Sequence, residues 1–139
     1  MKTIRGTTIS HAVVTVVLTL AAAAGQARAG EPLDAYKAYL AAASKATAPD
    51  ALFPFISSEY KAMLQQAPKE EVAKMLKMSI AKQGLTDLKV TSQKVEGNKA
   101  ILELTGKLAD GRSSSGKATM VKEGGDWKLD EDAWATPTK

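Results

Sequence analysis

From Leu88 to Trp134 apolar residues return at roughly every second position, and three short turn sequences cut the run into four pieces. The pieces read "LKVTSQKV", "KAILELTGKL", "SGKATMVK" and "DWKLDEDAW", separated by "EGN", "ADG" and "GG". Side chains alternate across a strand, so a one-residue slip in any pairing would turn its apolar set outward. The three turns can therefore be checked against one another. A three-residue loop at Glu96-Gly97-Asn98 sets Leu88 and Val90 beside Leu102 and Leu104. A three-residue loop at Ala109-Asp110-Gly111 brings Ala118 and Met120 to the same face. Both loops end in a residue that tolerates a left-handed conformation, Asn98 and Gly111, as a type I turn with a following bulge requires. A two-residue Gly124-Gly125 turn then pairs Met120 with Leu129 and Lys122 with Trp127. All three agree on one apolar face, to which Ala100, Trp127 and Leu129 also belong. Lys89, Thr91, Glu103, Thr105, Lys107, Lys117, Thr119 and Lys128 occupy the other face, which is expected to be solvated.

A meander with one apolar face needs a cover, and the first half of the chain supplies helices. Pro32 suits a first helical turn, and Leu33, Tyr36, Leu40 and Ala43 fall on one face of a helix over 32–45. Pro49 opens a second helix that Pro54 limits to about two turns. Ser57 or Ser58 caps a third helix reaching Gln65. Pro68 opens a fourth, with Glu70 and Glu71 set favourably against its dipole. Its buried line is Val72, Leu76 and Ile80, and Gly84 is a natural stop. The expected architecture is α+β: N-terminal helices packed on the concave face of a curved four-stranded antiparallel meander.

Residues 1–29 read as a cleaved secretory leader. Lys2 and Arg5 precede the apolar run "AVVTVVLTLAAAA", and Ala27 and Ala29 put small residues where a signal peptidase reads. That run is well short of the roughly 20 apolar residues a membrane-crossing helix needs. The remainder, 30–139, forms one domain, expected in a periplasm or outside the cell and free of the membrane after cleavage. The leader holds Lys2, Arg5, Arg28 and His11 but no carboxylate, so the mature chain carries sixteen basic and fifteen acidic side chains, a net charge of +1. Arg112 is then the sole arginine and the lysines are scattered, which argues against nucleic acid as a partner. With neither cysteine nor histidine in the mature chain, zinc and nucleophile–histidine catalysis have no obvious ligands or base. No metal and no cofactor are expected.

The segments "LFPFISSEYKAML", "KVEGNKAILEL" and "GKATMVKEGGDWKLDEDAW" resemble small secreted bacterial members of the NTF2-like (cystatin-like, SnoaL-type) superfamily. The resemblance covers essentially all of Glu31 to Trp134, and "VKEGGDWKL" is a structural signature rather than a catalytic one. It implies a cone-shaped sheet whose helices enclose a pocket. Some members, the ketosteroid isomerases among them, place carboxylates and a phenol there. Others bind or interact without catalysis, and many dimerise through the sheet, so the fold leaves function open.

Three readings follow. The leading one is a non-catalytic module that binds a small apolar ligand or a protein partner, with Phe53, Phe55, Tyr60, Leu102, Met120 and Trp127 lining the pocket and no residue assigned to catalysis. Phe53 and Phe55, flanking Pro54, read as a plug in preference to a mobile gate. A homodimer through the sheet, with a filled cone, is the second. Thr105, Thr119 and Val121 on the outer face allow it, and the lysines there oppose it. The third, of a different class, is an isomerase or hydro-lyase of the ketosteroid-isomerase type using Asp34, Asp50 or Tyr60. Glu59 is a further carboxylate of interest, although helix-end positions account for it and both aspartates. Tyr36 and Tyr39 read as amphipathic packing, Met63, Met75 and Met78 as core, and Ser113 to Ser115 as the start of the third strand. Adjacent residues on a strand point to opposite faces, so "DEDAW" reads as a solvated acidic end, and Trp134 as closing the cone or lying partly exposed.

Overall fold

A computed structural model describes residues 31–135. The leader expected at 1–29, with Ala27 and Ala29, lies outside the described residues. Helix α1 spans Pro32–Lys45 and carries Pro32 in its first turn and Lys45 in its last. Its buried face is Tyr36, Tyr39 and Ala43, while Leu33 and Leu40 sit at the flanks, half-buried. The next segment, Pro49–Phe55, winds as a 3-10 helix. Pro54 lacks an N–H and its ring would crowd the carbonyl four residues back, so an α-turn there is disfavoured. Helix α2 spans Ser58–Gln66, and the Ser57 side chain accepts a hydrogen bond from the Tyr60 N–H as its cap.

Helix α3 spans Lys69–Met78, with Glu70 and Glu71 in its first turn. It stops short of the expected Gly84. Ser79 turns extended, at φ −59° and ψ 148°, and Ile80–Gln83 continues as a 3-10 turn that ends on a left-handed Gly84. The break is held from outside: Lys82 Nζ donates to the carbonyls of Ser44 at 3.0 Å and Ala46 at 2.7 Å. These are carbonyls left over at the end of α1, where a cation is favoured. The expected line Val72, Leu76, Ile80 is buried.

Strands β1 (Thr86–Glu96), β2 (Lys99–Lys107), β3 (Ser113–Glu123) and β4 (Asp126–Ala135) form one antiparallel sheet in the order β1-β2-β3-β4. The second hairpin closes as expected: Leu108 N–H donates to the Arg112 carbonyl at 2.9 Å, and Gly111 has φ +84°. Ala118 then faces Leu102. The third also closes as expected, with Met120 opposite Leu129 and Lys122 opposite Trp127. The first differs. Glu96 pairs with Lys99 across a two-residue turn, and a bulge between Val90 and Ser92 restores the expected pairing of Val90 with Leu104.

Leu102, Met120 and Leu129 are fully buried and Leu104 nearly so, packed beneath Tyr36, Leu52, Leu64 and Val72. Each such side chain contributes about 1.5–3 kcal/mol by leaving water. Trp127 joins them at 9% exposure. The middle of the cone is therefore filled.

Candidate functional site

Open space lies at the other end of β4, and a single extra residue creates it. Along β4 the pairing runs regularly from Asp126 to Leu129, then shifts: Met120 faces Leu129 while the preceding Thr119 faces Glu131. Asp130 is the residue left over. Regular alternation from Trp127 and Leu129 would send Glu131 and Ala133 inward. The bulge reverses that phase, so Asp132 lies opposite Ala118 and Trp134 opposite Gly116, both partners on the concave face. Asp130 itself is tethered, since Ser57 Oγ donates to its Oδ1 at 2.7 Å and Ser57 N–H donates to the Leu129 carbonyl at 2.7 Å. Nearby, the Ser58 N–H and hydroxyl both donate to the Glu123 carboxylate, fixing the start of α2 on the β3–β4 hairpin.

Trp134 can enter because Gly116 has no side chain. A Cβ built there would lie 2.4 Å from the indole Cδ2, so the ring rests directly on the backbone of β3. Trp134 Nε1 donates to the Tyr36 hydroxyl at 2.8 Å, and that hydroxyl donates to Asp132 Oδ2 at 2.9 Å. One chain of donors thus links an indole, a phenol and a carboxylate. The Tyr39 ring stacks on Tyr36 with centroids 6.0 Å apart.

Burial dominates the electrostatics. It raises the Asp132 carboxyl above its ordinary 3.8; the Tyr36 hydrogen bond works in the opposite direction and the charge of Glu131 adds to the rise. Tyr36, Tyr39 and Tyr60 are all pushed above their ordinary value, first by burial and then by the Asp132 charge.

Asp132, Trp134, Tyr39 and Tyr60 border a cavity of about 370 Å³ between α1, α2, α3 and the end of β4. Its remaining wall is largely aliphatic, including Leu40, Leu64, Leu76 and Ile80. Ser79 also lines it, and the Ser79 hydroxyl oxygen is shielded from solvent without a hydrogen-bond partner. Beside the cavity runs an acidic groove bordered by Glu59, Asp130 and Glu131; Tyr60, Met75 and Asp132 belong to both.

Of the six expected pocket residues, Tyr60 alone lines this cavity. Phe53 borders a separate hollow beside Asp50 and Val72, with Lys61 Nζ 4.8 Å from its ring centre. Phe55 packs half-buried against the core. Leu102, Met120 and Trp127 fill the cone instead of lining it, because Tyr36, Leu52 and Leu64 descend onto them. Asp34 and Asp50 are exposed and do not line the cavity that Asp132 borders. Two further expectations are corrected. "DEDAW" is no solvated acidic end, since the bulge turns Asp132 and Trp134 inward. Met63, Met75 and Met78 are not core: they are 53%, 42% and 64% exposed, on the rim of the cavity and groove.

Asp132, expected to be solvated, meets Tyr39, expected as packing, and Trp134, expected to close the cone or lie partly exposed, and one signal marks Asp132 and Trp134. Trp127 and Trp134 are seven positions apart, an odd spacing, so both can face inward only across a bulge. Among the described residues no group of three or more histidine, cysteine, aspartate or glutamate side chains could hold a metal ion.

No described protein family and no curated protein matches this sequence. Two solved structures do resemble its fold. One is an NTF2-like protein of unknown function from Shewanella baltica OS155, 12% identical, with a TM-score of 0.53 over 83% of this chain and 96% of that one. Another is an NTF-2 like protein of unknown function from Silicibacter pomeroyi DSS-3, 16% identical, with a TM-score of 0.48 over 76% of this chain and 95% of that one.

Proposed function

The chain has the NTF2-like fold, and on that fold we propose a binding domain for a small molecule with an apolar body and one polar end. The observation that carries this reading is Asp132, a carboxylate delivered by a β-bulge into a cavity whose other walls are largely aliphatic and aromatic. A volume of about 370 Å³ falls within the range of small-molecule sites. Leu40, Leu64, Leu76 and Ile80 offer the apolar body its contacts, and Asp132 with Tyr60 orients the polar end. The domain acts in the periplasm or outside the cell, a placement that draws on the leader-like residues 1–29.

The test uses Trp134 as a reporter. In a Trp127→Phe background Trp134 is the sole tryptophan, so titration with 1-octanol is expected to change its emission saturably. Ala81→Phe, which adds a ring at the cavity wall, is expected to abolish that change while leaving the far-UV circular dichroism intact. A linear, non-saturable response to octanol would overturn the proposal.

A second reading, proton transfer by an isomerase or hydro-lyase, draws on the same carboxyl. Burial raises its proton affinity toward the range useful in acid–base catalysis, with the Tyr60 phenol lining the same cavity. Deuterium incorporation from solvent into a bound ketone, lost in Asp132→Asn, is the expected signature. No incorporation above the uncatalysed rate would remove it.

A further inference from the structure

We propose that the polar end of the ligand is a cation: the cavity takes an amine with an apolar body, its ammonium group set against Asp132 and the rings of Tyr39, Tyr60 and Trp134. This rests on the small-molecule reading above and specifies the ligand's charge. Three independent features converge on it.

The first is aromatic content. The chain has seven aromatic residues in all, and three of them line this one cavity beside a carboxylate. Ring faces carry negative potential and attract an ammonium placed among them. A carboxylate at the same place supplies a charge-assisted hydrogen bond. An anionic head would meet repulsion from both.

The second is the sign of the charges that line the site. Asp132 is the single acidic side chain lining the cavity, Glu59, Asp130 and Glu131 border the adjoining groove, and no lysine or arginine lines either among the described residues. Lys82 neighbours Ala81 and Gln83 of the lining, yet its ammonium is engaged by the Ser44 and Ala46 carbonyls. The chain without its leader is close to neutral, so this negative field is local. Such a field raises the local concentration of a cationic ligand and its rate of association.

The third is acceptor capacity. An ammonium group has three N–H donors. Tyr36 occupies one Asp132 oxygen, Oδ2, and leaves Oδ1 to accept from an amine or its water. The exposed Met63, Met75 and Met78 rim suits an apolar body of varied shape, because unbranched thioether chains repack readily.

The experiment compares three ligands with one tail: octylammonium, 1-octanol and octanoate, titrated by Trp134 emission in the Trp127→Phe protein at neutral pH. Octylammonium is expected to bind about tenfold or more tightly than octanol, and octanoate more weakly than octanol. Asp132→Asn is expected to bring octylammonium down to the octanol affinity without abolishing octanol binding. Should that variant fail to fold, Glu59→Gln with Glu131→Gln on the exposed rim is expected to weaken octylammonium severalfold, and added salt to weaken it further. Equal affinities for amine and alcohol would overturn the cation proposal and leave the small-molecule reading standing. Preference for octanoate would do the same. Saturable binding of none of the three would overturn both.

Discussion

The two ends of β4 carry one tryptophan each and use it in opposite ways. Trp127, before the bulge, packs at 9% exposure with Met120 and Leu129 in a filled core, where shape and apolar area decide. Trp134, beyond the bulge, lies against bare backbone at Gly116 and donates to Tyr36. It completes a polar chain that ends in a carboxylate. The lesson is that the fold separates its two tasks along a single strand. The hairpin end fills the core, and the terminal end sets a half-buried carboxyl beside open space instead. Burying a carboxylate is costly unless it is hydrogen-bonded, and Tyr36 supplies a donor to it.

The sharpest way to break this contrast is at Trp127. Trp127→Ala is expected to cost about 3–5 kcal/mol, the range for emptying a large core site, read from urea melts. The octanol affinity of the surviving folded protein should be little changed. A loss below about 1 kcal/mol would place Trp127 outside the core. At the opposite end, Gly116→Ala puts a methyl group where the Trp134 ring carbons now lie. The indole must move, at a cost of about 1–3 kcal/mol for an overpacked site, with red-shifted Trp134 emission in the Trp127→Phe background. Unchanged emission would mean the ring does not rest on that backbone.

These two sites also show why the sheet was legible from the sequence and the cavity was not. The registers of β2 to β4 near the turns follow from local facts: Gly111 and Gly124-Gly125 fix the turns, and the apolar alternation fixes which way each strand faces. Even the shorter first turn left Val90 opposite Leu104, because the bulge in β1 compensates. The bulge in β4 is different in kind. Nothing in "KLDED" demands an extra residue; it arises from competition at a distance, with Ser57 holding Asp130 and Gly116 accepting the indole. One shifted residue then reversed every later side chain and converted an outward acid into the cavity carboxylate. The rim methionines misled for a related reason. Met75 and Met78 neighbour core positions on α3, but the chain turns extended at Ser79 and brings Ile80, rather than Met78, to the interior.

Tyr36 joins the two ends and gives an intermediate effect. Tyr36→Phe keeps the ring in the core but removes the acceptor of the Trp134 N–H and the donor to Asp132. Two half-buried polar groups lose a partner, and a loss of about 1–3 kcal/mol is expected. Tyr36→Phe combined with Trp134→Phe should cost less than the two single changes added together, since the groups act as a unit. Strict additivity would show that the network is two independent contacts.

The smallest effect is the most specific to the Trp134 end, because it depends on pH. The folded state raises the Asp132 carboxyl above 3.8, so in a window above that value the native protein keeps a proton the unfolded chain has released. Stability linked to this group is therefore full below about pH 4 and declines as pH rises through the raised value. Asp132→Asn has no such proton, so its stability relative to wild type should improve as pH rises from about 4 through the raised value. Other titrating groups are common to both proteins and cancel in the difference. Tyr36→Phe should steepen the decline, because the Tyr36 hydrogen bond favours the ionised carboxylate. Trp127→Ala, whose half of the strand buries no carboxylate, should instead shift the whole profile by a constant. Parallel urea-midpoint profiles for wild type and Asp132→Asn would mean that Asp132 is solvated in both states, and the division of β4 into a packing end and a charged end would fail with it.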